Sequence, residues 1–248
     1  MKGKESLRAF GDDLIARLPD RVKCTCPGYH SSDVWHILMP RFANELLGLH
    51  REHGMLSPDG SCIGASTFEY CWITFYHPDG TSKNKETRPN TVIVDDTLRK
   101  LDIMGGDIVG RYRFTEMHEC CHHLMVRAGF SPKEPVKYRY VGGKETPEER
   151  EADYLAAYLL MPDCVLTAAM RERNYEPFVS YEGFLPLAHK KEIHRMAREL
   201  QVSDTALNKR LDDAGWFEYR SIYEFHDPDR PGFDPLKQRR RRYDRQGV

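Results

Sequence analysis

The sequence predicts a mainly helical α+β fold with a small sheet beside one central helix. Three observations carry that expectation. Apolar residues recur at three-and-four spacing through several segments, which is helical periodicity. Two short runs rich in β-branched and aromatic residues, near 67–76 and 91–94, read as strands. The chain is also long enough, at 248 residues with 40% hydrophobic, to bury a core.

From the N-terminus, Ser6 to Leu18 and Met39 to His53 read as helices, the second with Phe42, Leu46, Leu47 and His50 at helical spacing. A Cys/Pro/Gly/Ser-rich stretch joins them. Residues 1–60 are therefore expected to form a helical N-terminal extension to a domain spanning 61–226. Within the joining stretch, Cys24 and Cys26 with His30 and His36 suggest a second metal cluster. The spacing fits no standard structural zinc pattern, so ordinary loop residues are the expectation.

Thr67 to Tyr76 carries Phe68, Tyr70, Trp72, Ile73 and Phe75 and reads as a strand. His77-Pro78-Asp79-Gly80 is a turn sequence, and a second strand within Thr81 to Asn90 is expected to pair with the first. Thr91 to Val94 reads as a short buried strand. After the break at Gly105-Gly106 a helix is expected, with Phe114, Met117, Cys121, Leu124 and Met125 on its apolar stripe and Gly129 as its stop. The next helix starts at Pro147, which suits a first helical position, and ends before Pro162.

Leu187 to Gln201 and Asp204 to Asp213 form a helix pair joined at Val202-Ser203, with Ser203 as N-cap and Gly215 as stop. So short a turn resembles a helix-turn-helix, which could read DNA. The second helix mixes Lys209 and Arg210 with Asp204, Asp212 and Asp213, so packing or the docking of a protein substrate is expected ahead of DNA reading. Residues 227–248 gather Lys237, Arg239, Arg240, Arg241, Arg242 and Arg245 and read as a mobile basic tail; such a run can bind nucleic acid or an acidic partner, but a solvated tail is the expectation.

The chemistry is concentrated in His118-Glu119-Cys120-Cys121-His122, an HExxH motif within the central helix. Two imidazoles four residues apart stand one turn above one another, so both can reach a single metal ion. Glu119 lies beside them, where it can take a proton from water. A catalytic zinc site needs a third protein ligand and keeps its fourth position open. Glu148, Glu149 and Glu151 all stand at the start of the 147–160 helix, and spacing does not choose among them. Glu149 also completes a Thr146-x-x-Glu149 capping box, while Asp153 stands one turn beyond it. His123 faces about 100° round the helix from His122 and is expected at the surface.

Arg113-Phe114-Thr115-x-x-His118-Glu119-x-x-His122-His123-Leu124, followed by Glu149-x-x-Ala152-Asp153-x-x-Ala156-Ala157-x-Leu159-Leu160-Met161-Pro162, resembles the ImmA/IrrE family of metallopeptidases. A third block from Ala197 to Leu211 agrees, and the likeness covers roughly residues 90–216. The resemblance implies zinc held by His118, His122 and Glu149, Glu119 as general base, and Asp153 orienting a histidine ligand. It also implies a protein substrate, a transcriptional repressor whose cleavage releases stress-response or mobile-element genes. One departure is Cys121, where the family commonly has glycine. The alternatives are a DNA-binding regulator and a protein that binds a repressor without cutting it.

Composition narrows the classes further. The net charge of −1 supplies no global field toward nucleic acid or an anionic membrane. No long apolar run or signal-peptide core is present, and seven scattered cysteines read as reduced thiols, so a cytoplasmic protein is expected.

Overall fold

The computed structural model describes residues 4–98, 109–142 and 146–225; the expected basic tail and the Gly105-Gly106 break lie outside the described residues. The architecture is α+β, as the sequence predicts. Its centre is a four-stranded sheet made of β3 (His50–Gly54), β7 (Thr91–Asp95), β4 (Cys62–Thr67) and β8 (Val136–Tyr140), in that order. β3 runs parallel to β7, while β4 is antiparallel to both β7 and β8. A hairpin of β5 (Cys71–Tyr76) and β6 (Ser82–Thr87) covers the face away from the helices, where Ile73 packs with Leu56, Cys62, Ala65 and Ile93. Its turn is the expected one: His77 N–H bonds Thr81 O, and Gly80 takes φ +84.

Against the other face lies α2 (Val109–Arg127), and beyond it α3 (Pro147–Leu160). Every residue of α2 from Thr115 to Met125 is buried, because sheet and helices enclose it on all sides. That enclosure is unusual for a segment with two glutamates and three histidines, since buried polar groups are costly unless partnered. α1 (Lys4–Ala16) packs on α3 across Gly11, where a Cβ would lie 2.6 Å from the Tyr158 ring. α4 (Asp163–Arg171) continues the helical layer, and β9 (Phe178–Tyr181) pairs in parallel with β10 (Phe217–Arg220) at its margin.

The expected helix pair is present as α5 (Leu187–Leu200) and α6 (Asp204–Asp213). Gln201 takes φ +55 at the end of α5, and the Ser203 hydroxyl accepts the Ala206 N–H at 3.1 Å to start α6. Ile193, Met196, Leu200, Leu207 and Leu211 bury the pair in the main core. Gly110 of α2 lies so close to the turn that a Cβ there would meet Ser203 N at 2.1 Å. The pair is fastened to the body.

Residues 1–60 correct the expectation of a helical extension. β1 (Lys23–Thr25) and β2 (Trp35–Ile37) form a small antiparallel ribbon, and the helix expected over Met39 to His53 covers only the first half of that stretch. Winding begins at Met39 as expected but stops at Leu46, with Arg41–Leu46 π-helical and Leu47 N–H bonding Phe42 O. Gly48, at φ +63, ends it, and His50–Gly54 is drawn into the parallel ladder with β7. Pairing there also lets Arg51 form an ion pair with the buried Glu116 of α2. Tertiary pairing overrides the helical spacing of Phe42, Leu46 and His50. β3 and β4, on either side of residue 60, both hydrogen-bond β7, and Val22, Ile37 and Phe42 share the main core with Met117.

The expected strand from Thr67 to Tyr76 is also divided. Thr67 ends β4, residues 68–70 bend, and Cys71 begins β5. β4 and β8 were not anticipated. β4 is a fully buried run of small residues with no alternation to mark it.

Candidate metal centre

His118 and His122 sit one turn apart in α2, and both are essentially excluded from solvent. Their Nε2 atoms stand 3.0 Å apart, with the rings nearly perpendicular. Glu149, from the first turn of α3, brings one carboxylate oxygen to 3.0 Å from His118 Nε2 and the other to 3.2 Å from His122 Nε2. Two nitrogens and a carboxylate thus converge on one point. A tetrahedral zinc bound at about 2.0–2.1 Å places its ligand atoms about 3.3 Å from one another. The histidine nitrogens and the carboxylate oxygen nearest each of them stand at nearly that spacing, and one ligand atom from each of the three residues lies within 4.8 Å of the others, so the donor set fits a divalent metal.

The neighbouring acidic residues take different partners. Thr146 Oγ1 accepts the Glu149 N–H at 3.2 Å, so the cap forms through the backbone of Glu149 while its carboxylate stays on the histidines. Glu148 turns instead to Lys137 and Ser131. Glu151 is not part of the cluster. Three glutamates that spacing leaves equivalent are separated by what lies opposite them.

A second carboxylate backs His118, while the one nearest His122 stands beyond hydrogen-bond distance. Asp153 Oδ1 lies 2.7 Å from His118 Nδ1, and Arg139 reaches the same oxygen at 2.8 Å. His122 Nδ1, buried and without a hydrogen-bond partner, has Glu148 Oε1 at 3.9 Å. Arg139 and Lys137 are alternate residues of β8, so both point toward α3. Sequence reasoning missed these two cations. The pattern Val136-Lys137-Tyr138-Arg139-Tyr140 alternates visibly, but its polarity is reversed: the cations turn inward and Tyr138 and Tyr140 are exposed.

The electrostatics follow from these contacts. Burial pushes the His118 imidazole down, but hydrogen bonds to Asp153 and Glu149 outweigh it and raise its pKa. Burial pushes Glu149 up, yet the two histidines hold it well below the usual carboxylate range. Asp153 is likewise depressed, with His118 and Arg139 overcoming its burial.

Glu119 faces the sheet rather than α3. Ser66 of β4 donates its hydroxyl to Glu119 Oε2 at 2.7 Å, and Oε1 is buried with no hydrogen-bond partner. Gly64 admits this carboxylate: a Cβ there would lie 2.4 Å from Oε1. One oxygen is therefore held and the other is without a hydrogen bond, on the residue that follows His118 in the helix.

With that geometry in view, residues 108–212 match the family model of the IrrE N-terminal-like domain, a peptidase family. This segment is similar to that family, as the resemblance to ImmA/IrrE metallopeptidases in the sequence leads one to expect. The chain matches no curated protein and no solved structure. The ImmA/IrrE segment contains His118, Glu119, His122, Glu149 and Asp153, together with β8 and the α5–α6 pair, whereas Gly64 and Ser66 precede it.

Two residues beside the ImmA/IrrE motif need comment. His123 is not at the surface; its ring packs on Phe68 at 4.4 Å between centroids and is 1% exposed. The turn of about 100° from His122 carries it under the sheet, and burial lowers its pKa to about 3. Cys121 is fully buried and its thiol is raised well above the ordinary range by desolvation, so it stays protonated as packing. In the N-terminal ribbon, Cys24 pairs across strands with His36, and Cys26 donates to Glu199 O at 3.2 Å with its pKa raised by burial to about 12.

Proposed function

We propose that the chain is a zinc-dependent endopeptidase that cuts a protein substrate at a defined site, the substrate being a transcriptional repressor. The observation that carries the hydrolytic reading is the convergence of His118, His122 and Glu149, with Glu119 following His118 in the same helix and keeping one oxygen without a hydrogen bond. Zinc bound there would act as a Lewis acid, lowering the pKa of water and polarising a peptide carbonyl. The protein's own groups do the rest. Asp153 accepts the His118 Nδ1–H, which leaves the Nε2 lone pair aimed at the triad, and Arg139 holds Asp153 in place. Glu148 Oε1 stands 3.9 Å from His122 Nδ1 and would have to close that gap to accept its proton. Ser66 fixes one Glu119 oxygen so that the other takes the proton of the attacking water and returns it to the leaving amine. His118, Glu119 and His122 are buried, while the part-exposed Glu149 and Asp153 leave a side of the site open to solvent and substrate.

β8 stands at one end of the sheet order, so an extended substrate can add beside it as a further strand. The α5–α6 pair, pinned to α2 through Gly110, supports a docking or packing role over DNA reading. No described helix is long and apolar enough to cross a membrane. The test is incubation with repressors encoded beside this gene, with and without chelator, read by mass spectrometry. Cleavage at one site, lost with chelator and with Glu119→Gln, is the expected result. Cleavage retained by Glu119→Gln would remove that residue from the role.

A further inference from the structure

We propose that the free edge of β8 docks an extended peptide whose every second residue is large and apolar, with Tyr138 and Tyr140 reading those residues. This rests on the hydrolytic reading above and names a substrate class for it. β8 closes one end of the sheet order, and no described strand lies beyond it. Phe68 N–H bonds Pro135 O and Val141 N–H bonds Ser61 O, so the odd-numbered residues of β8 turn their backbone groups toward β4. Backbone groups alternate sides along such a strand, so those of Val136, Tyr138 and Tyr140 face the free edge. A row of this kind is a template for a further extended main chain.

The two ends of the sheet differ in what guards them. β3, at the far end, carries His50, Arg51, Glu52 and His53, a charge-rich sequence of the sort by which edge strands resist pairing. β8 carries two charges as well, but Lys137 and Arg139 turn inward to Glu148 and Asp153. Its other face holds Val136, packed with the Ile73 cluster, and then Tyr138 and Tyr140, which are exposed. The two tyrosine rings lie 6.3 Å apart between centroids and form an apolar strip along the strand. In neighbouring strands, residues directly opposite one another share a face. A peptide beside β8 therefore sets every second side chain against this strip, where aromatic and branched residues fit best. Arg139 and Val141 border a cavity of about 720 Å³, which leaves room for side chains pointing the other way. The edge also adjoins the supports of the metal centre, since Arg139 holds Asp153, whose Oδ1 lies 2.7 Å from His118 Nδ1.

The experiment uses the full zinc-loaded chain carrying Glu119→Gln, with binding read by fluorescence anisotropy so that no cleavage is needed. The probes are short labelled peptides of Ser, Thr and Lys with Phe at every second position, and peptides of the same composition with Phe at every third. The first series should bind a few-fold more tightly, because the second fills only one of the two tyrosine positions in any register. Tyr138→Thr with Tyr140→Thr should abolish that preference. A single N-methyl group moved along the tighter peptide should weaken binding at alternate residues, a readout that needs no substitution in the protein. Equal binding of the two series, a preference unmoved by the tyrosine substitutions, or N-methyl sensitivity without alternation overturns the assignment. A dimeric chain that turns monomeric on those substitutions, with no peptide preference, gives the edge to a second copy and also overturns it. A period-two preference in a chain whose unsubstituted form shows no metal-dependent cleavage strikes the hydrolytic reading and leaves the docking edge standing.

Discussion

α2 looks two ways, and its two sides are built differently. Toward α3 it presents His118 and His122 to carboxylates, which are in turn tied to cations on β8. Toward the sheet it presents Glu119 to a serine and a glycine, and His123 to an aromatic ring. The first side is a set of charges that a divalent ion can satisfy. The second is closely packed, with the Arg51–Glu116 pair as its ionic contact and uncharged partners around Glu119, and it holds one Glu119 oxygen without engaging the other. The contrast separates metal binding from proton transfer: damage toward α3 should cost the metal, and damage toward the sheet should cost the reaction.

The largest effect belongs to the α3 side. His118→Ala should reduce bound zinc from one per chain to nearly none, measured by elemental analysis after dialysis, because a two-ligand remnant cannot retain the ion. Stoichiometric zinc in that variant would break the comparison at its base. On the sheet side, Gly64→Ala should keep the metal yet lower hydrolysis about a hundredfold, since the new methyl group displaces the Glu119 carboxylate. Loss of zinc there would show that the two sides are not separable.

Smaller effects sharpen the picture within the α3 side. Asp153→Asn should weaken zinc binding about 10- to 100-fold in a chelator competition, because the amide can present its N–H to His118 Nδ1 instead of accepting from it. Glu148→Gln should cost only a few-fold in the same assay, because its oxygen stands 3.9 Å from His122 Nδ1 rather than 2.7 Å. A larger loss for Glu148→Gln than for Asp153→Asn would reverse the ranking of the two supports.

The same two sides differ in how much of them the sequence made legible. The α3 side rests on local patterns: HExxH on a helix, a capped helix start, and Pro147 and Pro162 as its bounds. Those patterns survive folding because they are made within single elements. Choosing Glu149 over Glu148 needed Lys137, whose approach from β8 depends on a pairing with β4 that no short motif announces. The sheet side depended on long-range pairing throughout. Cys62–Thr67 has no alternation because both its faces are covered, and His50–Gly54 is a strand only because β7 lies beside it. His123 was placed at the surface because rotation from His122 says which way it points, not what covers that direction.

The central claim is that His118, His122 and Glu149 together hold one divalent ion and leave a position open. X-ray absorption on the zinc-loaded chain tests it most directly. A shell of nitrogen and oxygen at about 2.0–2.1 Å with an imidazole signature and no sulfur is the result expected. Sulfur at about 2.3 Å, bringing cysteine into the site, or a spectrum unchanged by Glu149→Ala, would contradict it.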